Sequence, residues 1–217
     1  MDRKSIDTGG ITDISLVPGG TQDWYYGLSF DGGDMYEAEE IYRDKGTVEG
    51  NSFCLVHYPD GEVFRPFLPK ACTYIGAPVY YSGGIFLLRV SFRPWMYTIY
   101  RFDCRSHEIQ FFADGFLGRD CYNLMLHTAP PCLTRQGADD TFEILWPEQT
   151  GFKKDPRESF FLRDWEKLYF NKWYEEGDGP DYRYWEETVV RGLDGTVLET
   201  LPGDVRIMPN GEIWHIH

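Results

Sequence analysis

Apolar and polar residues alternate in short runs along this chain. Phe53 to His57, Ile85 to Phe92, Thr98 to Phe102 and Thr196 to Leu201 each carry the period of two that marks a half-buried β-strand. Residues that tolerate positive φ bound these runs, and they recur. One set of turns is Gly9-Gly10, Asp60-Gly61, Arg105-Ser106, Gln149-Thr150-Gly151 and Asp194-Gly195. Counted from Gly10, Gly61, Ser106, Gly151 and Gly195, it advances by 51, 45, 45 and 44 residues. A second set falls between: Asp31-Gly32-Gly33, Ser82-Gly83-Gly84, Ala129-Pro130-Pro131, Gly177-Asp178-Gly179 and Asn210-Gly211. Pro18, Pro69 and Pro202 follow three of the first-set turns and stop the outgoing strand, because proline donates nothing to a ladder. Two hairpins in about 45 residues make four short strands, the size of one propeller blade.

The pattern predicts an all-β fold in one domain, 1–217, of five such units. The first step is long in both sets, which predicts an insertion near Tyr42 to Gly50. The last unit offers only Asp204 to Pro209 and Glu212 to His217, and the first offers Arg3 to Asp7 and Ile11 to Val17. Together they would complete one blade, so that pairing of N- and C-terminal strands closes a ring and removes two open sheet edges. Asp155-Pro156-Arg157-Glu158 reads as a helix start, and Phe161, Trp165, Leu168, Lys172 and Trp173 continue at helical spacing. The same stretch alternates at Trp165, Lys167, Tyr169, Asn171 and Trp173, and the repeat count favours strands there. Met35 to Tyr42 carries a weaker version of the same ambiguity.

Composition agrees with many strands and tight turns: 42% of residues are hydrophobic and 17% aromatic, with 23 glycines and 13 prolines. Blade length, glycine turns and a shared last blade make the chain similar to β-propeller proteins, above all the five-bladed kind found among small lectins and glycan-acting enzymes. The resemblance is one of pattern over nearly the whole chain. It includes no Trp-Asp blade ending, kelch double glycine or Asp-box.

With 21 basic against 35 acidic residues the net charge is −14, and no Lys/Arg cluster relieves it. Nucleic acid and anionic membranes would be repelled. Ala71 to Leu88 is uncharged, but Gly76, Pro78 and Ser82-Gly83-Gly84 make it a hairpin rather than a membrane span. Met1 to Asp7 has no apolar core of a secretion signal, so a cytoplasmic location is expected. Five cysteines without a Cys-x-x-Cys pair argue against a disulfide framework or zinc ribbon.

An acidic residue recurs where a strand is expected to begin: Asp23, Asp120, Asp164 and Asp204. Equivalent positions in a ring would bring four carboxylates to one channel mouth. They would there bind Ca²⁺, the one ion the pattern suggests, or supply a glycosidase-like acid and its ionised partner. The simpler alternative has each Asp accepting N–H bonds in its own turn. His215 and His217 share a strand face but have no nearby third ligand in sequence. No nucleophile elbow or phosphate loop is present, and no other cofactor is implied.

Aromatic runs supply the binding candidates, Trp24, Trp95, Trp165, Tyr184 and Trp185. Rings on both faces of a strand cannot all be inside, so some either face a partner or fill the space between sheets. A non-enzymatic scaffold for a protein or peptide partner is the expected function. The alternative is a small glycan-binding or glycan-hydrolysing protein using the four aspartates, with Trp24 and Trp165 as platforms.

Overall fold

The computed structural model describes residues 3–208 and 212–217, and Asn210-Gly211 lies outside them. The chain divides into two compact units, Met1–Cys121 and Tyr122–His217. Strands dominate both, and among the described residues every sheet pairing is antiparallel.

In the first unit, β1 (Ser15–Leu16), β2 (Trp24–Ser29), β3 (Ser52–His57) and β4 (Val63–Phe64) form a sheet in chain order. The second sheet holds β5 (Thr73–Ile75), β6 (Val79–Tyr81), β7 (Gly84–Phe92), β8 (Trp95–Asp103) and β9 (Ile109–Phe116). β5 and β6 both pair with β7, so they act as one strand interrupted around Gly76 and Pro78. Val17, Trp24, Phe53 and Leu55 from the first sheet meet Ile75, Ile85, Leu87 and Phe102 from the second in one buried cluster.

The insertion expected near Tyr42 to Gly50 is a helix that starts earlier, α1 (Met35–Lys45), between β2 and β3. Its start is written locally. The Asp34 carboxylate accepts from the backbone N–H groups of Tyr36 and Glu37, while Glu37 accepts from the Asp34 N–H at 2.6 Å. Gly46 ends it with φ 72°, the left-handed geometry of a helix stop. Buried Glu39 accepts from Arg43 Nε at 2.6 Å and from the Cys121 N–H at 2.5 Å, tying the helix to the segment after β9.

In the second unit, β10 (Leu124–His127), β11 (Cys132–Gln136), β12 (Thr141–Trp146) and β13 (Thr150–Lys153) form one sheet. β14 (Glu158–Asp164), β15 (Lys167–Glu176), β16 (Arg183–Gly192) and β17 (Val197–Pro202) form the next, and β18 (Asp204–Ile207) pairs with β19 (Ile213–Ile216). The stretch open to either reading is therefore the β14–β15 hairpin. Phe160, Leu168 and Phe170 bury against Cys132, Phe142 and Ile144 of the preceding sheet, a match that strand alternation provides.

The first set of turns keeps its phase from its second member on. Asp60-Gly61, Arg105-Ser106 and Asp194-Gly195 each precede the last strand of their sheet, whereas Gly9-Gly10 lies ahead of β1, the first strand of its own. The fourth such connection is Pro147–Gln149, because Thr150 and Gly151 already belong to β13. The second set does not keep phase. Ser82-Gly83 and Ala129-Pro130-Pro131 lead from the outer strand into the next one, Gly177-Asp178-Gly179 lies one strand later in its sheet, and Asp31-Gly32-Gly33 leads into α1. Arg93-Pro94 and Trp165-Glu166 turn the chain without a glycine, which is why the residue pattern skipped them.

The expected shared blade needs correction at the N-terminal end. Ser15–Leu16, within the Ile11 to Val17 run, pairs with β2 of the first sheet. Arg3 to Asp7 is irregular, held by Lys4 Nζ on the Pro59 and Asp60 carbonyls and by Arg65 on the Asp7 carbonyl at 3.0 Å. Among the described residues no helix is long and apolar enough to cross a membrane.

Candidate functional site

The most distinctive surface feature is the β15–β16 hairpin. Its ladder runs from Lys167↔Gly192 to Glu176↔Arg183, ten residue pairs. β14 accompanies β15 only as far as Lys172, and β17 accompanies β16 only from Glu187. The Trp173 N–H still reaches the Arg157 carbonyl at 3.4 Å and the Gly203 N–H the Glu186 carbonyl at 3.1 Å, so Trp173↔Glu186 is the base of a two-stranded arm whose three further pairs, Tyr174↔Trp185 to Glu176↔Arg183, are closed by Gly177, Asp178 and a 3₁₀ turn at Gly179–Asp181.

Pairing fixes which side chains share a face, since directly opposed residues point the same way and neighbours alternate. One face carries Tyr174, Trp185 and Glu187. Tyr174 and Trp185 stack in parallel, centroids 5.1 Å apart at 5°. The Arg157 guanidinium lies 4.8 Å above the Tyr174 ring and the Lys172 ammonium 5.6 Å from it. Both cations are tied to Asp155, at 3.2 and 2.8 Å. Arg157 and Lys172 accordingly hold the Asp155 carboxyl well below the usual carboxylate range. Tyr174 donates its hydroxyl to Glu187 at 2.9 Å.

The opposite face carries Asn171, Trp173, Glu175, Tyr184 and Glu186. Glu186 accepts from Asn171 Nδ2 at 2.8 Å and from the Tyr184 hydroxyl. That donated bond is the main reason the Tyr184 phenol is pushed up to about 12. Tyr182, just past the 3₁₀ turn, hydrogen-bonds Glu175. Trp173 is 39%, Tyr182 50%, Tyr184 51% and Trp185 41% exposed.

The binding candidates therefore separate. Tyr184 and Trp185 meet on the arm, on opposite faces. Trp165 sits in the β14–β15 turn, 74% exposed with φ 52°, a backbone region that bulky side chains avoid. Trp24 is a correction: it is 3% exposed, wedged among His57, Phe64, Phe102 and His107, and offers no open platform. Trp95 is half-buried against Tyr42 and Phe92, and the Arg43 guanidinium already covers its ring at 5.0 Å. Trp173, Tyr174 and Tyr182 belong with the candidates on the arm. Counting outward from Gly179-Pro180 would have paired Tyr174 with Trp185.

The four aspartates do not occupy equivalent positions. Asp23 precedes β2, the second strand of its sheet, Asp120 lies in the connection after β9, Asp164 ends β14, and Asp204 begins β18. Asp204 accepts from Arg206 Nε at 2.8 Å. His215 and His217 have ring centroids 4.8 Å apart, and His215 Nε2 lies 2.6 Å from the Pro202 carbonyl oxygen. Among the described residues, no three or more His, Cys, Asp or Glu side chains are grouped to hold a metal ion.

No protein-family model matches the chain, and no curated protein matches it.

Proposed function

We propose that this protein is a non-enzymatic binding module that engages a protein or peptide through the β15–β16 arm. The observation that carries the reading is the arm itself. A hairpin that outruns its neighbouring strands and bears partly exposed Trp173, Tyr182, Tyr184 and Trp185 keeps costly apolar area in water, the residue types that dominate binding hot spots. Trp165 adds a further exposed indole in the same unit, at the tip of the β14–β15 turn.

The test is selection of peptides from a displayed random library against the wild-type protein and a variant in which residues 174–185 are replaced by Asn-Gly. That two-residue turn rejoins Trp173 to Glu186 and leaves the four-stranded sheet intact. Selected peptides should bind the wild type with a Kd of about 1–100 μM and lose binding to the shortened arm. Equal binding to both proteins, or no selected peptide, overturns the reading.

We also infer that the three four-stranded sheets and the five-stranded sheet are consecutive blades of a five-bladed ring, with β18–β19 contributing to the fifth. Two features support this: sheets that follow chain order, and the recurrence of Asp60-Gly61, Arg105-Ser106 and Asp194-Gly195 before the last strand.

A further inference from the structure

The two faces of the arm carry like chemistry, and only one of them is filled. On the Tyr174 face the chain seats its own cations, Arg157 over the ring and Lys172 beside it, with Asp155 as counter-charge. The Trp173 face repeats the ingredients. Trp173 and Tyr184 are exposed rings, and Glu186 is anchored by Asn171 and Tyr184 while Glu175 stands next to it on the same face. Among the described residues, no Lys or Arg lies over Trp173 or Tyr184, and none pairs with Glu175 or Glu186. Resting on the binding-module reading, we propose that this open face receives an arginine side chain of a basic peptide, its guanidinium stacked on Trp173 and Tyr184 and paired with Glu186.

Arginine is the better fit of the two long cations. Its planar head stacks on a ring and still presents a fork of donors to a carboxylate, whereas an ammonium is a hydrated point charge. Glu186 is already oriented by two neutral donors, so little side-chain freedom is lost when the guanidinium arrives. The sequence from Glu175 to Glu187 contains Glu175, Glu176, Asp178, Asp181, Glu186 and Glu187 against Arg183 alone, and the whole chain carries −14. A basic partner is steered toward this arm, and an acidic one is repelled.

Fluorescence anisotropy of labelled eight-residue peptides tests the proposal: alternating Arg-Ser, Lys-Ser, Glu-Ser, and all-Ser. The Arg-Ser peptide should bind tightest, Lys-Ser several-fold more weakly, and the other two not at all. Glu186→Gln keeps the shape of the site and should weaken Arg-Ser binding by about tenfold or more. Trp173→Leu should do the same, with Glu186→Gln as the deciding variant if Trp173→Leu unfolds. Asp13→Asn, an exposed acid in the first unit, controls for bulk charge and should leave binding within about twofold. If Glu186→Gln binds like the wild type, or Asp13→Asn weakens binding equally, the attraction is diffuse and the site is wrong. Arg-Ser silence with library-selected uncharged peptides still bound at the arm overturns this inference and leaves the module reading standing. Silence of both overturns both.

Discussion

His127 shows how a single residue sets the chemistry of its unit. It ends β10 opposite Cys132, its ring stands edge-on to Phe160 at 4.7 Å, and its Nε2 is buried without a hydrogen-bond partner among the described residues. Burial pushes its imidazole down to about 4. The unfolded chain therefore takes up this proton first as pH falls. The related stability is complete above about pH 6.5 and is lost progressively toward pH 4. Between pH 7 and 5 the loss is about 2 kcal/mol, and urea unfolding should show the fall reduced by that amount in His127→Gln. Equal pH dependence in the two proteins would refute the assignment. Trp165 argues the other way. Glycine adopts its φ of 52° freely, so Trp165→Gly should leave stability unchanged or raise it by about 1 kcal/mol. A thermal melt giving a large loss would mean that the exposed ring is held by packing.

At the scale of elements, local signals competed with burial. Asp34 and Glu37 form a capping box, and Met35 to Lys45, whose first residues the spacing left open between strand and helix, folds as a helix. Asp34→Ala should cost about 1 kcal/mol, read as a lower Tm, with Asp34→Ser retaining most of the wild-type value. Asp155-Pro156-Arg157-Glu158 looks equally like a cap, yet no helix follows. Buried Glu158 pairs with Arg191 of β16 at 2.9 Å, and Asp155 is taken by Arg157 and Lys172. Those partners lie up to 33 residues away, beyond the reach of a local pattern. The length of the arm was likewise invisible, because it depends on where β14 and β17 stop accompanying their neighbours.

At the scale of the molecule, the five-bladed proposal predicts a single compact particle. A compact 217-residue chain has a radius of gyration of about 17 Å. Small-angle scattering near that value supports the ring, and a value of about 20 Å or more would mean that the two units do not close on each other. The charge of −14 acts at this scale as well, through long-range steering that weakens as salt is added.

Much of the strand content and one phase of turns followed from the sequence alone, because alternation and positive-φ residues act over two to four neighbouring positions. The sequence also bounded the surface as acidic and rich in rings. Tertiary structure decided which rings are core and which are open. Trp24 and Trp185 are both strand tryptophans beside other aromatics, but sheet packing encloses one, and the absence of flanking strands leaves the other in water. It also placed the four aspartates at unlike positions, because equivalence within a repeat requires the same strand count before each residue, and connections such as Trp165-Glu166 shift that count without leaving a glycine to mark it.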